Sequence, residues 1–282
     1  MGGGLAIGCS ATLGRLITEM YVIFWVLSFV HDGSRPPQVT DTHRAALQRA
    51  RHDLRAFAAA ERDWVASDAF RLVHGHDMRG GRYIVRAHVA RPVPDDIGQL
   101  AASVARSLHQ SLDELATRLA GTPVRFPIFE SLAMFAQRSR KAIARMSDEA
   151  QATIEGLQPY HEVGGFESAP LWRLKALDTP DAPWLGGSIR DGGVMGVNTA
   201  RSVDILVDPV ITSGAFADGA IVASVPARIV GPDPKLDMFL RVDFALAYLE
   251  RGPGRGRDVI ELLSDLCDHV EHEVFPALEP GR

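Results

Sequence analysis

Ten histidines and two cysteines are the side chains of this 282-residue chain best suited to move protons or hold metal. Three groupings of them have useful spacing. His74-Gly75-His76-Asp77 reads as strand, where side chains alternate, so both imidazoles share a face. His88 lies on the return arm. Zinc or nickel would need a third and fourth ligand, and no fixed spacing supplies them. A solvated hairpin tip is the plainer reading. Near the carboxy end, Asp265 and His269 are i,i+4, as are His269 and Glu273, with His272 beside them. Such pairs share a helix face and can form a His–carboxylate couple. On a helical wheel Glu273 falls inside the apolar stripe Val259, Leu262, Leu263, Leu266, Val270 and Val274, with His269 on its edge. An acid there must be paired, exposed at the helix end or hard to ionise. The plainer reading is a surface pair near a fraying end. The third grouping is His109 and Glu114 with Asp113, off the apolar stripe of a long helix. The plainer reading is a polar helix face.

Other chemistries leave no trace. There is no G-x-S-x-G and no cysteine with an activating neighbour. The glycines at 186, 187, 192, 193 and 196 do not make G-x-G-x-x-G between strand and helix, and no Walker motif occurs. Cys9 and Cys267 form neither a disulfide framework nor a zinc pattern. No cofactor and no metal are expected, and a reducing, cytoplasmic compartment fits.

Composition sets the frame. Hydrophobic content is 46%, charged content 23% and net charge -5, ordinary for a globular protein with a sizeable core. The acidic balance argues against a dedicated nucleic-acid binder, whose footprint is basic. Of 30 basic residues only Lys141, Lys175 and Lys235 are lysines. With the many alanines, this reads as codon bias in a GC-rich genome.

The elements that must position these residues follow from periodicity. Residues 1–35 form an apolar amino-terminal segment, and 40–282 are expected to form one α+β domain. Met20 to Val30 is an uncharged run of eleven residues, short of the roughly 20 a membrane helix needs. Glu19 and Arg15 precede it, and no signal-peptide cleavage site follows. Residues 16–30 are therefore a core or dimerisation helix, a weak membrane anchor, or text upstream of the true start. Asp32 to Thr40 reads as linker.

A helix is predicted from Asp41 to about Val65 on Leu47, Ala50, Leu54, Phe57 and Trp64. A hairpin follows over Phe70 to Ala90, turning at Gly80-Gly81. A second long helix carries Ile97, Leu100, Val104, Leu108, Leu112, Leu115 and Leu119, stopping at Gly121. The two long helices could pack antiparallel. Val124 to Phe129 reads as extended, with helical pieces near 131–137, 141–146, 147–158 and 170–177. Asp178 to Gly219 is rich in Gly, Pro and Asp. Strands are expected at 203–207, 220–230 and 238–244, and a final helix over 258–278. Helices first and strands later indicate α+β rather than alternating βαβ.

Four stretches carry a family resemblance: SLHQSLDELA (Ser107–Ala116), FPIF (Phe126–Phe129), LQPY (Leu157–Tyr160) and LKALDTPDAPW (Leu174–Trp184). They resemble a broad group of uncharacterised bacterial proteins, common in actinobacteria, whose pattern runs NLRSALDHL, FPIF, LQPY, LDNIDKHR. The likeness spans about residues 41 to 190. In the group's helix motif an Arg and a His stand five apart, similar to the R-x4–6-H motif of HEPN-type ribonucleases. There a basic residue and an imidazole could stabilise a phosphorane and move a proton. Those positions here hold His109 and Glu114. Of the later motif Asp178 and Asp181 remain, while the Lys, His and Arg are gone. FPIF and LQPY look structural.

The resemblance makes His109, Glu114, Asp178 and Asp181 the candidate site. The leading expectation is a non-catalytic, degenerate member acting through protein contacts, with partners unknown and a homo-oligomer through the long helices possible. The alternatives are an RNA- or phosphodiester-processing, HEPN-like enzyme, and a membrane-associated protein anchored through residues 16–30.

Overall fold

The computed structural model describes residues 42–77, 80–249, 252 and 254–279. The apolar amino-terminal segment and the linker after it lie outside these. The fold is mixed α+β. Helix α1 runs Thr42–Ala66, strands β1 (Phe70–Asp77) and β2 (Arg82–Val89) form an antiparallel hairpin, and α2 runs Asp95–Ala120. Gly121 takes φ 64° and ends α2, a left-handed turn that costs glycine little. The predicted stripes face the core: Leu47, Ala50, Leu54, Phe57 and Trp64 on α1 and Ile97, Val104, Leu108, Leu112 and Leu115 on α2 are buried, while Leu100 and Leu119 are half-buried. The helices run antiparallel. Arg44 near the start of α1 and Arg118 near the end of α2 meet on the buried Glu279 carboxylate. Farther along, the Ser103 hydroxyl donates to Asp53 at 2.7 Å.

Short helices follow: α3 (Leu132–Arg138), α4 (Arg140–Ile143), α5 (Asp148–Gly156) and α6 (Pro170–Leu177). Ser131 and Ser147 cap α3 and α5 by accepting from Met134 N and Ala150 N. Beyond Asp178 the chain is richer in strand than its composition suggested. It adds β3 (Leu185–Ile189), β4 (Val194–Arg201), β5 (Val203–Ile205), β6 (Val210–Ile211), β7 (Gly214–Ala215), β8 (Ala220–Ile229), β9 (Lys235–Arg241) and β10 (Phe244–Tyr248). These strands pair antiparallel, in sheets ordered β1-β2-β8-β5 with β6 on β8, β10-β3-β7, and β4-β9. The glycines that hid β3 and β4 are needed there. A Cβ on Gly187 would meet the rings of Phe216 and Phe70 at 2.5 and 2.7 Å, and one on Gly196 the ring of Phe239 at 2.5 Å.

Two apolar cores result. One joins the helices with Leu246 and Tyr248 of β10. The other lies among the strands around Tyr83, Val85, Val222 and Val225. Glu61, buried in the polar-to-apolar margin of α1, ties helix to sheet. Its carboxylate accepts from Leu246 N at 2.7 Å and from Arg190 Nη2 at 3.1 Å.

The final helix is not continuous. It runs α7 (Val259–His269), then a π turn Val270–Val274, then α8 (Phe275–Leu278). In the π turn Phe275 N–H donates to Val270 O. Pro276 lacks the N–H that would reach back four residues, and its ring would press on that carbonyl, so the turn widens just before it. No helix among the described residues is long and apolar enough to cross a membrane.

Candidate functional site

The candidate site forms where α2, α6 and the chain after α2 meet. His109 stands on α2 between buried Leu108 and Leu112, so its side chain leaves the core at a fixed angle. Asp178 is the C-cap of α6, its N–H donating to Leu174 O. Leu171 and Leu174 bury α6 in the same core as α2. That packing brings His109 Nδ1 to 2.5 Å from Asp178 Oδ2, with 20% and 25% of the two side chains exposed. The carboxylate accepts from Nδ1–H, which leaves Nε2 as the nitrogen free to take or give a proton.

Among the described residues the predicted extended segment 124–129 pairs with no strand. Side chains satisfy its backbone instead. Thr117 Oγ1 accepts from Val124 N and donates to Val124 O. Asp113 accepts from Phe126 N at 2.8 Å. The buried Gln158 amide accepts from Phe129 N at 3.0 Å and donates to Pro127 O at 2.8 Å and Ile154 O at 3.0 Å. The Lys175 amine donates to Ile128 O at 2.8 Å. Phe126 and Ile128 point into the core. The four stretches SLHQSLDELA, FPIF, LQPY and LKALD thus converge, each contributing a side chain or a backbone group to one place.

A cavity of about 270 Å³ opens there, lined by His109, residues 125–129, Arg138, Ser139, Ala142 and Lys175. Its charged lining is cationic, Arg125, Arg138 and Lys175, with the His109 ring beside them. Among the described residues none of Arg125, Arg138 and Lys175 makes an ion pair. The Lys175 amine lies 5.4 Å from the Phe129 ring centre and 5.1 Å from that of Trp172. Burial pushes this amine below its ordinary lysine value; Glu130 opposes that and Arg138 adds to it. Ser139 is not a free nucleophile, because its hydroxyl donates to Phe135 O. Nor is Cys267, a buried thiol that loss of water pushes up to about 11.

Two of the four sequence candidates are not in the site. Glu114 accepts from Gln110 Nε2 at 2.8 Å on the exposed face of α2. It lies five residues beyond His109, more than a full turn on and rotated away from it. Asp181 is exposed, and its backbone carbonyl, not its carboxylate, takes the bond from Thr179. Sequence reasoning missed Arg125, Arg138 and Lys175. The available signals were the Arg directly before FPIF and the i,i+3 spacing of Lys175 and Asp178.

The other histidine groupings resolve differently. His74 Nδ1 bonds the Tyr83 hydroxyl at 3.0 Å, and the His76 ring packs edge-on against the same tyrosine. His88 pairs with Asp218. His269 Nδ1 sits 3.0 Å from Glu273, but His269 is the inward member, 13% exposed against 68%. A regular wheel places them the other way, because the π turn shifts the phase after His269. Burial lowers the His269 ring below its ordinary value, with Glu273 opposing. Asp268, Glu271 and His272 bring ligand atoms within 4.8 Å of one another. Arg51 already holds both carboxylates, at 2.7 and 2.5 Å, so the two acids are paired with a cation.

No family model, no curated protein and no solved structure matches this chain.

Proposed function

We propose that the cavity beside His109 binds a phosphate group and that the His109–Asp178 pair moves a proton there, in phosphodiester chemistry of the kind the HEPN-like resemblance implies. The observation that carries this is the dyad, Nδ1 to Oδ2 at 2.5 Å, at a cavity lined by Arg125, Arg138 and Lys175. Unpaired cations lining a concave site favour an anion. With Nδ1–H held by Asp178, Nε2 accepts the proton of an attacking hydroxyl, such as a ribose 2′-OH. The three cations offset charge growing on the phosphoryl oxygens. The resemblance motif's Arg and His are replaced in this sequence by His109 and Glu114; in this reading His109 takes the imidazole's part, and Arg125, Arg138 and Lys175, from other segments, take the basic residue's. The cavity's size favours one phosphate and its immediate neighbours rather than a long nucleic-acid track.

The test has two arms. Inorganic phosphate and a nucleoside 3′-monophosphate are titrated while the His109 ring resonances are followed by NMR. Short single-stranded RNA is then incubated with the protein and scored for 2′,3′-cyclic phosphate ends. Shifts at His109 that saturate, with cleavage, are expected. An unmoved ring and intact RNA would overturn the reading.

A second reading, a member without catalysis that acts through protein contacts, is supported by the exposed apolar side chains Ile205, Leu206, Val207 and Val210. Inert RNA and an unmoved His109 ring are the outcome that favours it.

A further inference from the structure

A second cavity, of about 470 Å³, opens beside the first turn of α2, against the chain that enters β3. It shares no residue with the His109 cavity. Close contacts fix its walls. A Cβ on Gly98 would stand 3.3 Å from Pro183 O and 3.3 Å from Ala182 Cβ, so α2 lies directly against the segment that carries Trp184. Leu249 N–H donates to Trp184 O at 2.9 Å and holds the backbone there. Phe216, on the other wall, packs on Phe70 and Phe244 at ring-centre distances of 5.5 and 6.0 Å. Trp184 lines the cavity yet is 74% exposed, a large aromatic surface held out of the core.

The charges here are opposite to those at His109. Among the described residues the ionisable side chains of the lining are Asp95 and Asp218, both acids. No described cation pairs with Asp95. Asp218 Oδ1 accepts from Val89 N at 2.9 Å and faces His88 Nδ1 at 3.2 Å, while its Oδ2 takes no bond from a described residue. An apolar cavity with an aromatic face and carboxylates favours an organic cation. The rest of the lining narrows the class. Apart from the two aspartates and the Trp184 indole, every lining side chain is apolar or glycine. A guanidinium, with donors along its whole rim, would set some of them against carbon, which costs binding. A quaternary ammonium has no N–H. It spreads its charge over methyl groups and needs only an aromatic face, apolar walls and nearby carboxylates. We infer that this cavity binds a small quaternary ammonium compound, with the Trp184 ring against the charged head and Asp95 and Asp218 supplying the opposing charge.

The experiment uses the full chain, isotopically labelled, and follows the Trp184 indole N–H resonance by NMR, assigned with Trp184→Phe. The probes are choline, its neutral isostere 3,3-dimethylbutan-1-ol, and methylguanidinium. Choline should shift the resonance saturably and bind at least about fivefold more tightly than either other probe. Asp95→Asn combined with Asp218→Asn keeps the oxygen that Val89 N–H needs and removes both charges. It should weaken choline by about fivefold or more and leave the alcohol unchanged. Trp184→Leu should abolish the preference for choline over the alcohol, read from the probes' own methyl resonances by saturation transfer. At 74% exposure that substitution leaves the core untouched, and a urea melt checks it. Choline and the alcohol binding alike would make the cavity a plain apolar crevice and overturn the inference. A choline shift that never saturates, methylguanidinium binding as tightly as choline, or full choline binding in the double aspartate variant would each overturn it as well.

Discussion

Two of the histidine–carboxylate couples among the described residues, His269–Glu273 and His109–Asp178, are alike in contact and different in surroundings. His269 and Glu273 lie one turn apart on a single helix, 3.0 Å from each other, and among the described residues no cation from another segment pairs with Glu273. His109 and Asp178 are 69 residues apart and meet at 2.5 Å only because α6 packs on α2. Around that second pair gather Arg125 and Arg138 from two further points of the chain, with Lys175 one turn before Asp178 on α6. Local spacing makes a couple easily, since any His and Glu at i,i+4 can touch. A site also needs a concavity and groups of complementary charge, and those come from packing.

That contrast can be broken most decisively by mutation of each imidazole. His109→Ala and Asp178→Asn should each lower RNA cleavage by about 10²-fold or more, whereas His269→Gln should leave it within a factor of about two. Single-turnover rates on one RNA oligomer decide this, and equal losses from both histidines would erase the distinction.

A smaller effect is expected at Gln158, which touches neither couple. Gln158→Ala removes one acceptor and two donors from buried backbone groups of the FPIF segment and α5. It should cost roughly 2–3 kcal/mol in a urea melt and weaken phosphate binding with it. Full stability would mean that the segment is held by its apolar contacts alone.

The subtlest test is pH. The folded His269 ring titrates below its ordinary 6.5, so the unfolded chain binds a proton there that the folded chain refuses. Stability associated with this residue is therefore complete above about pH 6.5 and is lost as pH falls toward the lower folded value. His269→Gln should flatten the stability–pH profile in that interval, measured by denaturant midpoints. An unchanged slope would show that the ring is not effectively buried.

Much of the fold was legible because it rests on periodicity. On α2, Val104, Leu108, Leu112 and Leu115 recur at helical spacing and form the buried face. The hairpin declared itself by apolar arms around Gly80-Gly81, and Ser147 by its capping pattern. What failed did so for identifiable reasons. β3 and β4 were hidden by glycines that aromatic rings require. The phase of the last helix changes at the π turn before Pro276, which a regular helical wheel does not contain. The segment 124–129 is extended as expected, yet its partners are the side chains of Thr117, Asp113, Gln158 and Lys175 rather than a strand.

The candidate site divides along the same line. The amino-acid sequence by itself determined the two long amphipathic helices, the hairpin between them and the α+β order, because hydrophobic spacing is a local property. It also brought forward His109 and Asp178 through motif resemblance. Only tertiary structure decided that these two touch, that Glu114 and Asp181 stand apart, and that Arg125, Arg138 and Lys175 line the cavity at His109. A charge becomes part of a site through the packing of distant segments, and no spacing along the chain encodes that directly.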